Sequence, residues 1–287
     1  MDIDAKEDLT QQVIDAFSGT SSPRLREIMI SLITHLHSFA RQVNLTEGEW
    51  ASAMQFLRET GDMTSDRRQE FILLSDVLGL SMTVVERNAP KDSRATESTV
   101  FGPFFLEGSP EVLNGEALPG DAPGHPLFIS GTVTSVEGAP ISGALIEVWE
   151  ADQQGRYDVE YLAQGSAGRG HLYSDELGRY SVWCVKPSYY SIPTDGPVGK
   201  LLFLCNRSPM RPAHVHFKVS APGYKTLVTH IFENGDPYID CDAVFGVKTS
   251  LIRDFHHHTD STPEDAPLIA SDWFETEFSP ILQRAEG

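Results

Sequence analysis

The chain has 287 residues, with 41 acidic and 22 basic side chains and a formal net charge of -19. A chain this acidic repels a phosphate backbone, which excludes nucleic acid as a partner. No apolar run reaches the length that a membrane span needs. The three cysteines lack CxxC spacing, and the first twenty residues mix charged and polar side chains instead of forming a signal peptide, so we expect a cytoplasmic protein.

The first hundred residues are predicted to be helical. Apolar residues recur at intervals of three and four over 25–39, which indicates a long amphipathic helix. Thr46 and Glu49 have the spacing of a capping box, so a second helix is expected from there through residue 57, with Gly61 placed to end it. A third helix is expected over about 66–78. Apolar stripes of this kind usually pack into a core or a dimer interface.

The remainder of the chain has a sequence pattern that predicts short β-strands. Gly- and Pro-rich turns separate segments with strand-like composition, at intervals that suit a β-sandwich. The predicted strands cover 128–134, 144–149, 179–183, 213–219 and 227–232. We therefore predict an α+β fold, with a helical domain over 1–105 and a mainly antiparallel β-sandwich domain over 106–287.

Two His-x-His pairs differ in their setting. His214 and His216 open a predicted strand, where alternate side chains share a face, so both imidazoles can point at one ion. His35 and His37 lie in a predicted helix, where a two-residue step turns the side chain by about 200°, so they cannot converge. For the strand pair, the alternative is two core histidines with satisfied hydrogen bonds. The run 256–258 of three histidines has no partner motif and is expected to be an exposed or capping cluster.

Three sequence features resemble the intradiol ring-cleavage dioxygenases. The first is the run Arg-Pro-Ala-His-Val-His at 211–216. The second is Tyr190, six residues before a Gly-Pro pair, and the third is Tyr157, which follows a Gly turn after the segment Glu-Val-Trp at 147–149. The resemblance covers nearly the whole chain.

Further blocks narrow the resemblance to the branch of this family that cleaves hydroxyquinol. They lie at 73–79, 99–104, 229–232 and 242–248. His230 stands where catechol-cleaving members usually carry Gln. The resemblance thus implies oxidation of hydroxyquinol by O2 with ring opening between the vicinal hydroxyls, to 3-hydroxy-cis,cis-muconate or maleylacetate. Catechol or a chlorocatechol remains the alternative substrate, and a transthyretin-like carrier the non-enzyme alternative.

The same resemblance implies a non-haem Fe(III) bound by Tyr157, Tyr190, His214 and His216. A tyrosine binds a metal as phenolate, which requires a strongly acidic cation because the free phenol titrates near pH 10. Hard phenolate oxygens favour Fe(III), and imidazole tolerates it. Tyr189, next to Tyr190, is the rival for one ligand position and would point to the opposite face of an extended segment.

Catalytic and substrate-binding roles also follow from the resemblance. Tyr190 would accept a substrate proton, and Arg211 would stabilise developing negative charge; an ion pair at the strand edge is the alternative role for Arg211. Asp76 would accept the third ring hydroxyl, unless it is a surface carboxylate. The substrate pocket is expected to comprise Leu73, Asp76, Val100, Phe101, Gly102, Pro103, Phe104, Ile192, Pro193, Arg211, His230 and Val244. Family members also imply a homodimer formed through the N-terminal helices, and a phospholipid in that region.

Overall fold

The computed structural model describes residues 3–65, 68–161, 165–262, 266–267 and 270–285, and it contains both helices and sheets. The α-helices of this part are α1 (Ile3–Ala16), α2 (Pro23–Gln42), α3 (Glu47–Met63), α4 (Glu70–Val77), α5 (Leu80–Asn88), α6 (Asp158–Tyr161) and α7 (Pro197–Leu204). The chain forms two compact units, residues 1–59 and 60–287. The domain division at residue 105 stays a prediction.

In the described part of the chain, the strands follow residue 125. They confirm the five predicted segments within a few residues. They are β1 (Pro126–Thr132), β2 (Thr134–Ser135), β3 (Leu145–Glu150), β4 (Arg169–Tyr173), β5 (Arg179–Val185), β6 (Tyr190–Ser191), β7 (Met210–Arg211), β8 (His214–Ser220), β9 (Leu227–Glu233), β10 (Ile252–Arg253), β11 (His256–His258), β12 (Trp273–Glu277) and β13 (Ile281–Leu282).

The N-terminal helices begin at residues that cap them. The Ser22 side chain accepts a hydrogen bond from the backbone N–H of Leu25 at 3.2 Å at the start of α2. The predicted capping box is confirmed at α3, where Thr46 N donates to Glu49 Oε2 at 2.9 Å and Glu49 N donates to Thr46 Oγ1 at 3.3 Å. The expectation that Gly61 ends this helix is wrong. Gly61 lies inside α3 without the left-handed φ of a C-terminal glycine.

The predicted third helix corresponds to α4, which begins at Glu70; residues 66–67 lie outside the described part. His35 and His37 both lie on α2, as expected. Their rings bond separately, because His35 Nδ1 lies 2.7 Å from Ser31 O while His37 Nδ1 lies 3.0 Å from Thr10 Oγ1. The two imidazoles of the helical pair therefore have separate hydrogen-bond partners.

Two larger sheets position the site. One has the order β11-β12-β1-β5, and the other has the order β10-β9-β8-β3-β4. The pairs β1–β12 and β9–β10 are parallel, whereas β3–β4, β3–β8, β8–β9, β1–β5 and β11–β12 are antiparallel. A single cluster of buried apolar residues takes members from both sheets, including Ile129, Val182, Ile146 and Phe217. The register of β8 between its two neighbours fixes which side chains meet at the site.

The run of three histidines forms strand β11, which pairs with β12. His256 and His257 are exposed, as predicted, while His258 is half-buried. The His258 ring stacks on Trp273 with centroids 4.1 Å apart, and His257 stacks on Phe274 at 4.7 Å. The alternative of a capping cluster is therefore wrong, because backbone pairing and ring packing place these residues in a sheet edge.

No helix among the described residues combines the length and the apolar character needed to cross a bilayer. The three cysteines are free thiols, with Cys184 buried and Cys205 and Cys241 exposed. The fold therefore contains no disulfide among these three cysteines and is stabilised by packing and hydrogen bonding.

Candidate metal centre

Strand β8 divides its side chains between two environments. His214 and His216 are each 1% exposed. Val215 and Phe217, the residues that alternate with them, belong to the buried cluster shared by the two large sheets. The alternation expected of a strand therefore directs both imidazoles away from that core and to the same side.

Tyr157 reaches these imidazoles from the turn after β3. Its hydroxyl lies 2.9 Å from His216 Nε2, 3.3 Å from His214 Nε2 and 3.5 Å from the hydroxyl of Tyr190. The turn contains Gly155 with φ +73°, and a Cβ at this position would lie 2.5 Å from Cβ of Tyr190. Only glycine meets both demands, so Gly155 allows the turn that carries Tyr157 to approach Tyr190.

Tyr190 joins the group through the short ladder of β6 and β7, in which it is paired with Arg211. Its side chain is buried, and its hydroxyl lies 3.4 Å from Nη1 of Arg211. Tyr189 is 45% exposed and packs its ring against Tyr238, with centroids 5.0 Å apart. The structure thus brings Tyr190, and not Tyr189, to Tyr157 and the two histidines.

The tautomer of His214 follows from its backbone contact. His214 Nδ1 lies 2.6 Å from the carbonyl oxygen of Pro212. A carbonyl only accepts, so Nδ1 carries the proton and Nε2 presents a lone pair toward Tyr157. Burial and the positive charge of Arg211 lower the pKa of His214 to about 3. Burial also brings the pKa of His216 well below its ordinary value. Both imidazoles are therefore in the neutral form that binds metals.

The pKa values of the two phenols, Tyr157 and Tyr190, are raised, in contrast to those of the histidines. Burial, followed by the neighbouring Tyr190, raises the pKa of Tyr157 well above its ordinary value. Burial also raises the pKa of Tyr190, although the charge of Arg211 opposes this. Two buried phenols cannot ionise side by side at neutral pH without a cation, so phenolate ligation here requires a strong Lewis acid.

Arg211 is held next to this group by a buried ion pair. Its Nε and Nη2 donate to the two carboxylate oxygens of Asp242 at 3.0 and 3.4 Å, while Nη1 lies 3.1 Å from His214 Nε2. Burial works against ionisation of Asp242, but Arg211 and the backbone N–H of Gly246 outweigh it and lower the pKa of Asp242. The carboxylate therefore fixes a guanidinium whose free edge faces the phenol and imidazole groups.

A third histidine, His230, was predicted to bind substrate, and it lies directly beside His214 and His216. It is paired with His216 across β8 and β9, and the ring centroids of these two residues are 4.0 Å apart. Potential ligand atoms of His214, His216 and His230 lie within 4.8 Å of one another. His230 Nδ1 contacts the hydroxyl of Thr99, while Nε2 has no hydrogen-bond partner in the described part of the chain.

The contacts of Thr99 and Asp242, and the proximity of His230 to the histidine pair, were not predicted from the sequence. The contact of His230 had a usable signal, because adjacent antiparallel strands at 213–219 and 227–232 would place it opposite one of the two histidines. Asp242 lies in the block 242–248 that carries the resemblance, but its contact with Arg211 spans 31 residues and no periodicity of the sequence indicates that pairing.

Five of the twelve predicted pocket residues contribute to one buried apolar wall. A single apolar cluster contains Tyr157 and Tyr190 together with Leu73, Val100, Phe104, Ile192 and Val244. The ring of Phe104 stacks on Tyr157 with centroids 4.4 Å apart.

The other predicted pocket residues are more varied. Gly102 has φ +77°, and a Cβ there would lie 3.1 Å from Cε1 of His216, so its backbone closely approaches the Cε1 edge of that ring. Asp76 is buried, Pro193 is half-buried and Phe101 is 40% exposed. Phe101 packs on Trp149, which in turn stacks on His216 at 4.7 Å. Asp76 is thus not the surface carboxylate that formed its alternative role.

Paired phenols and imidazoles on one face of a sheet, beside an apolar wall, are typical of an oxidative metalloenzyme for aromatic substrates. Family models agree, since residues 100–276 match "Dioxygenase" and residues 22–96 match "Catechol dioxygenase N terminus". The chain belongs to the intradiol ring-cleavage dioxygenase family.

Among its relatives is hydroxyquinol 1,2-dioxygenase of Rhodococcus opacus, which is 52% identical over 96% of this chain and 92% of the relative. Hydroxyquinol 1,2-dioxygenase of Nocardioides simplex is 48% identical over 98% of this chain and 96% of the relative. The crystal structure of hydroxyquinol 1,2-dioxygenase from Pseudomonas putida DLL-E4 is similar with a TM-score of 0.89 and 40% identity, covering 98% of this chain and 99% of that one.

Proposed function

We propose that this protein is a hydroxyquinol 1,2-dioxygenase of aromatic catabolism. It cleaves 1,2,4-trihydroxybenzene with O2 between the vicinal hydroxyls and forms 3-hydroxy-cis,cis-muconate, a tautomer of maleylacetate. The convergence of two buried phenols and two neutral imidazoles next to an apolar wall carries this proposal. The names of the two curated relatives, each covered over more than nine-tenths of its length, support the substrate.

The donor set fits a resident ferric ion. Tyr157, Tyr190, His214 and His216 would hold it through two hard oxygens and two nitrogens, and the combined charge of two phenolates would offset most of its charge. A zinc site more usually uses cysteine, histidine or carboxylate. When bound, Fe(III) would supply the Lewis acidity that makes the vicinal hydroxyls acidic and the ring reactive toward O2.

The protein's own groups then have separate tasks. Tyr190 is the proposed acceptor for a substrate proton, because burial in an apolar cluster favours the protonated phenol over the phenolate. Arg211 stabilises negative charge that develops on the substrate oxygens, since Asp242 holds its guanidinium with Nη1 toward Tyr190. The wall around Leu73, Val100 and Ile192 excludes water from the reacting ring.

Asp76 is the proposed recognition group for the third hydroxyl. Burial raises the pKa of Asp76, and a hydrogen bond from Ser81 opposes this effect. Its carboxyl group lies on α4, the helix that also contributes Leu73 to the apolar wall. A hydroxyl placed against apolar side chains would lose its hydrogen bond to water without replacement, so a carboxyl at this wall favours hydroxyquinol over catechol.

The test of this function combines colour with oxygen uptake. Purified protein loaded with iron should absorb visible light through phenolate-to-iron charge transfer, and anaerobic addition of hydroxyquinol should change that spectrum. In air, hydroxyquinol should cause O2 uptake, with a higher kcat/KM than catechol or a chlorocatechol. A higher kcat/KM for catechol than for hydroxyquinol would make catechol the substrate. A colourless, inactive protein that binds aromatic compounds would favour the transthyretin-like carrier.

Assembly and location are further parts of the proposal. We propose that the two large sheets form a β-sandwich, and that the N-terminal helices mediate a homodimer with a phospholipid bound among them. The exposed apolar side chains of α2, which include Leu25, Leu32, Leu36 and Phe39, support a covered helical surface. Light scattering would measure the dimer, and native mass spectrometry would detect the lipid. The three free thiols support a cytoplasmic location.

A further inference from the structure

Arg207 lies three residues after the last residue of α7, and its backbone is fixed by the end of that helix. Asn206 adopts a left-handed φ of 52°. Its N–H donates to the carbonyl of Phe203 at 3.1 Å, and the N–H of Arg207 donates to the carbonyl of Leu202 at 2.9 Å. These two bonds form a Schellman motif, which Asn tolerates because its φ can be positive. The side chain of Arg207 therefore leaves the helix end from a defined point.

The guanidinium of Arg207 joins two segments that are far apart in sequence. Its Nη1 donates to the carbonyl of Val77, the last residue of α4, and its Nη2 donates to the carbonyl of Ala243 at 3.0 Å. The carbonyls in the last turn of a helix have no intrahelical donor, and a cation at that end also interacts favourably with the helix dipole. Arg207 thus completes the C-terminus of α4 while fixing a loop beside it.

The loop that contains Ala243 is also shaped by Phe245. This residue has a left-handed φ of 60°, which residues other than Gly and Asn rarely adopt. Its ring lies 4.9 Å from the guanidinium carbon of Arg207. A Cβ built on Gly79, the residue before α5, would lie 3.5 Å from the same ring. Phe245 therefore packs across the junction of α4 and α5, with Arg207 against one side.

Both carbonyl acceptors directly adjoin residues of the proposed site. Val77 follows Asp76, the proposed acceptor for the third hydroxyl. Ala243 lies between Asp242, which binds Arg211, and Val244, which belongs to the apolar wall. The backbone of the loop is further tied down, because the N–H of Ala243 donates to the carbonyl of Met210 at 3.0 Å. A shift at either carbonyl would move a side chain that faces the substrate.

We propose that Arg207 is a positioning residue that determines specificity by holding Asp76 and Val244 at a fixed separation. This inference rests on the proposed function for its substrate. Arg207 acts through backbone carbonyls, and its hydrogen bonds in the described part of the chain reach none of the four proposed iron ligands. Its loss should therefore change the fit of the ring while leaving the iron site intact.

The experiment compares Arg207→Met with a matched control, Arg253→Met. Arg253 makes the same kinds of contact at a different place, since its Nη1 donates to the carbonyls of Ser250 and Ile252 at 2.8 and 2.9 Å, and its guanidinium lies 5.6 Å from the ring of Phe278. Each variant would be loaded with iron and assayed with hydroxyquinol and catechol. Iron content, visible spectrum and thermal midpoint would be measured alongside hydrogen exchange by mass spectrometry.

For Arg207→Met we expect a KM for hydroxyquinol that is about tenfold higher, a smaller change for catechol, and an unchanged iron content and resting spectrum. Amides of 74–80 and 242–247 should exchange faster than in the wild type, whereas Arg253→Met should leave both segments and the substrate preference unchanged. The inference is overturned if hydrogen exchange in these segments stays at the wild-type rate. It is also overturned if both variants lose the same fraction of kcat/KM on both substrates.

Arg207→Lys covers the case in which Arg207→Met does not fold. Lysine keeps the charge and the contact with the Phe245 ring, but one ammonium group cannot reproduce the planar fork that binds two carbonyls. An intermediate rise in KM for hydroxyquinol is expected, and wild-type values would refute the inference. A wild-type enzyme that takes up no O2 with hydroxyquinol would refute the proposed function instead. Hydrogen exchange would still test whether Arg207 holds the segments that contain Val77 and Ala243.

Discussion

Replacing Arg211 tests the electrostatic part of the proposed mechanism. The Arg211 and Asp242 side chains are 3% and 2% exposed, so the pair lies in a low-dielectric interior. Removal of one preorganised donor from such a site typically costs about 2.7–4 kcal/mol of transition-state stabilisation, which corresponds to a rate loss of about a hundredfold to a thousandfold. We expect a loss of about a hundredfold in turnover of hydroxyquinol.

The single variant Arg211→Met has a second effect, on stability. It leaves the Asp242 carboxylate buried without its partner, and breaking a buried pair in this way typically costs about 3–5 kcal/mol. Because whole proteins are stable by only about 5–15 kcal/mol, the single variant could lose activity by unfolding. The double variant Arg211→Met/Asp242→Asn removes both charges. Val244 N–H and Gly246 N–H donate to different oxygens of Asp242, so Asn keeps one of these two hydrogen bonds through its single amide oxygen.

The double variant therefore separates the effect of Arg211 on catalysis from its effect on stability. It should bind iron with wild-type stoichiometry and unfold within a few degrees of the wild type, while its kcat for hydroxyquinol, measured with an oxygen electrode at saturating substrate, falls about a hundredfold. A folded, iron-loaded double variant that retains turnover within about threefold of the wild type would show that Arg211 stabilises no charge in the rate-limiting transition state.

Three further predictions test the site and the fold. Tyr190→Phe should shift the charge-transfer band and reduce turnover at least a hundredfold, as measured by absorption and O2 uptake, whereas Tyr189→Phe should change neither. Asp76→Ala should lower kcat/KM for hydroxyquinol more than for catechol, and equal losses would remove its recognition role. Asp158 receives a hydrogen bond of 2.6 Å from Arg169 Nε in a buried ion pair, so Asp158→Asn should cost about 3–5 kcal/mol in urea unfolding. The control Asp175→Asn, at a half-buried carboxylate paired with the exposed Arg179, should change the free energy of unfolding far less.

Sequence alone was sufficient wherever the decisive interactions are local. The capping box at Thr46 and Glu49 joins residues three positions apart, and it forms as predicted. The alternation that places His214 and His216 on one face is a property of any strand, so it needs no knowledge of the strand's neighbours. The end of α3 was misplaced by a few residues, because Gly61 is accommodated within the last turn of the helix, which ends at Met63, at the modest cost of a helical glycine.

Tertiary structure decided every feature that depends on residues distant in sequence. Tyr190 is distinguished from Tyr189 by burial beside Tyr157, and the alternation of an extended chain cannot say which face will be the inner one. The approach of His230 to His216 requires the register of β8 against β9. The two contacts of Arg207 join carbonyls more than a hundred positions apart. Such contacts form only when packing brings remote segments together, because no local periodicity encodes which segments will meet.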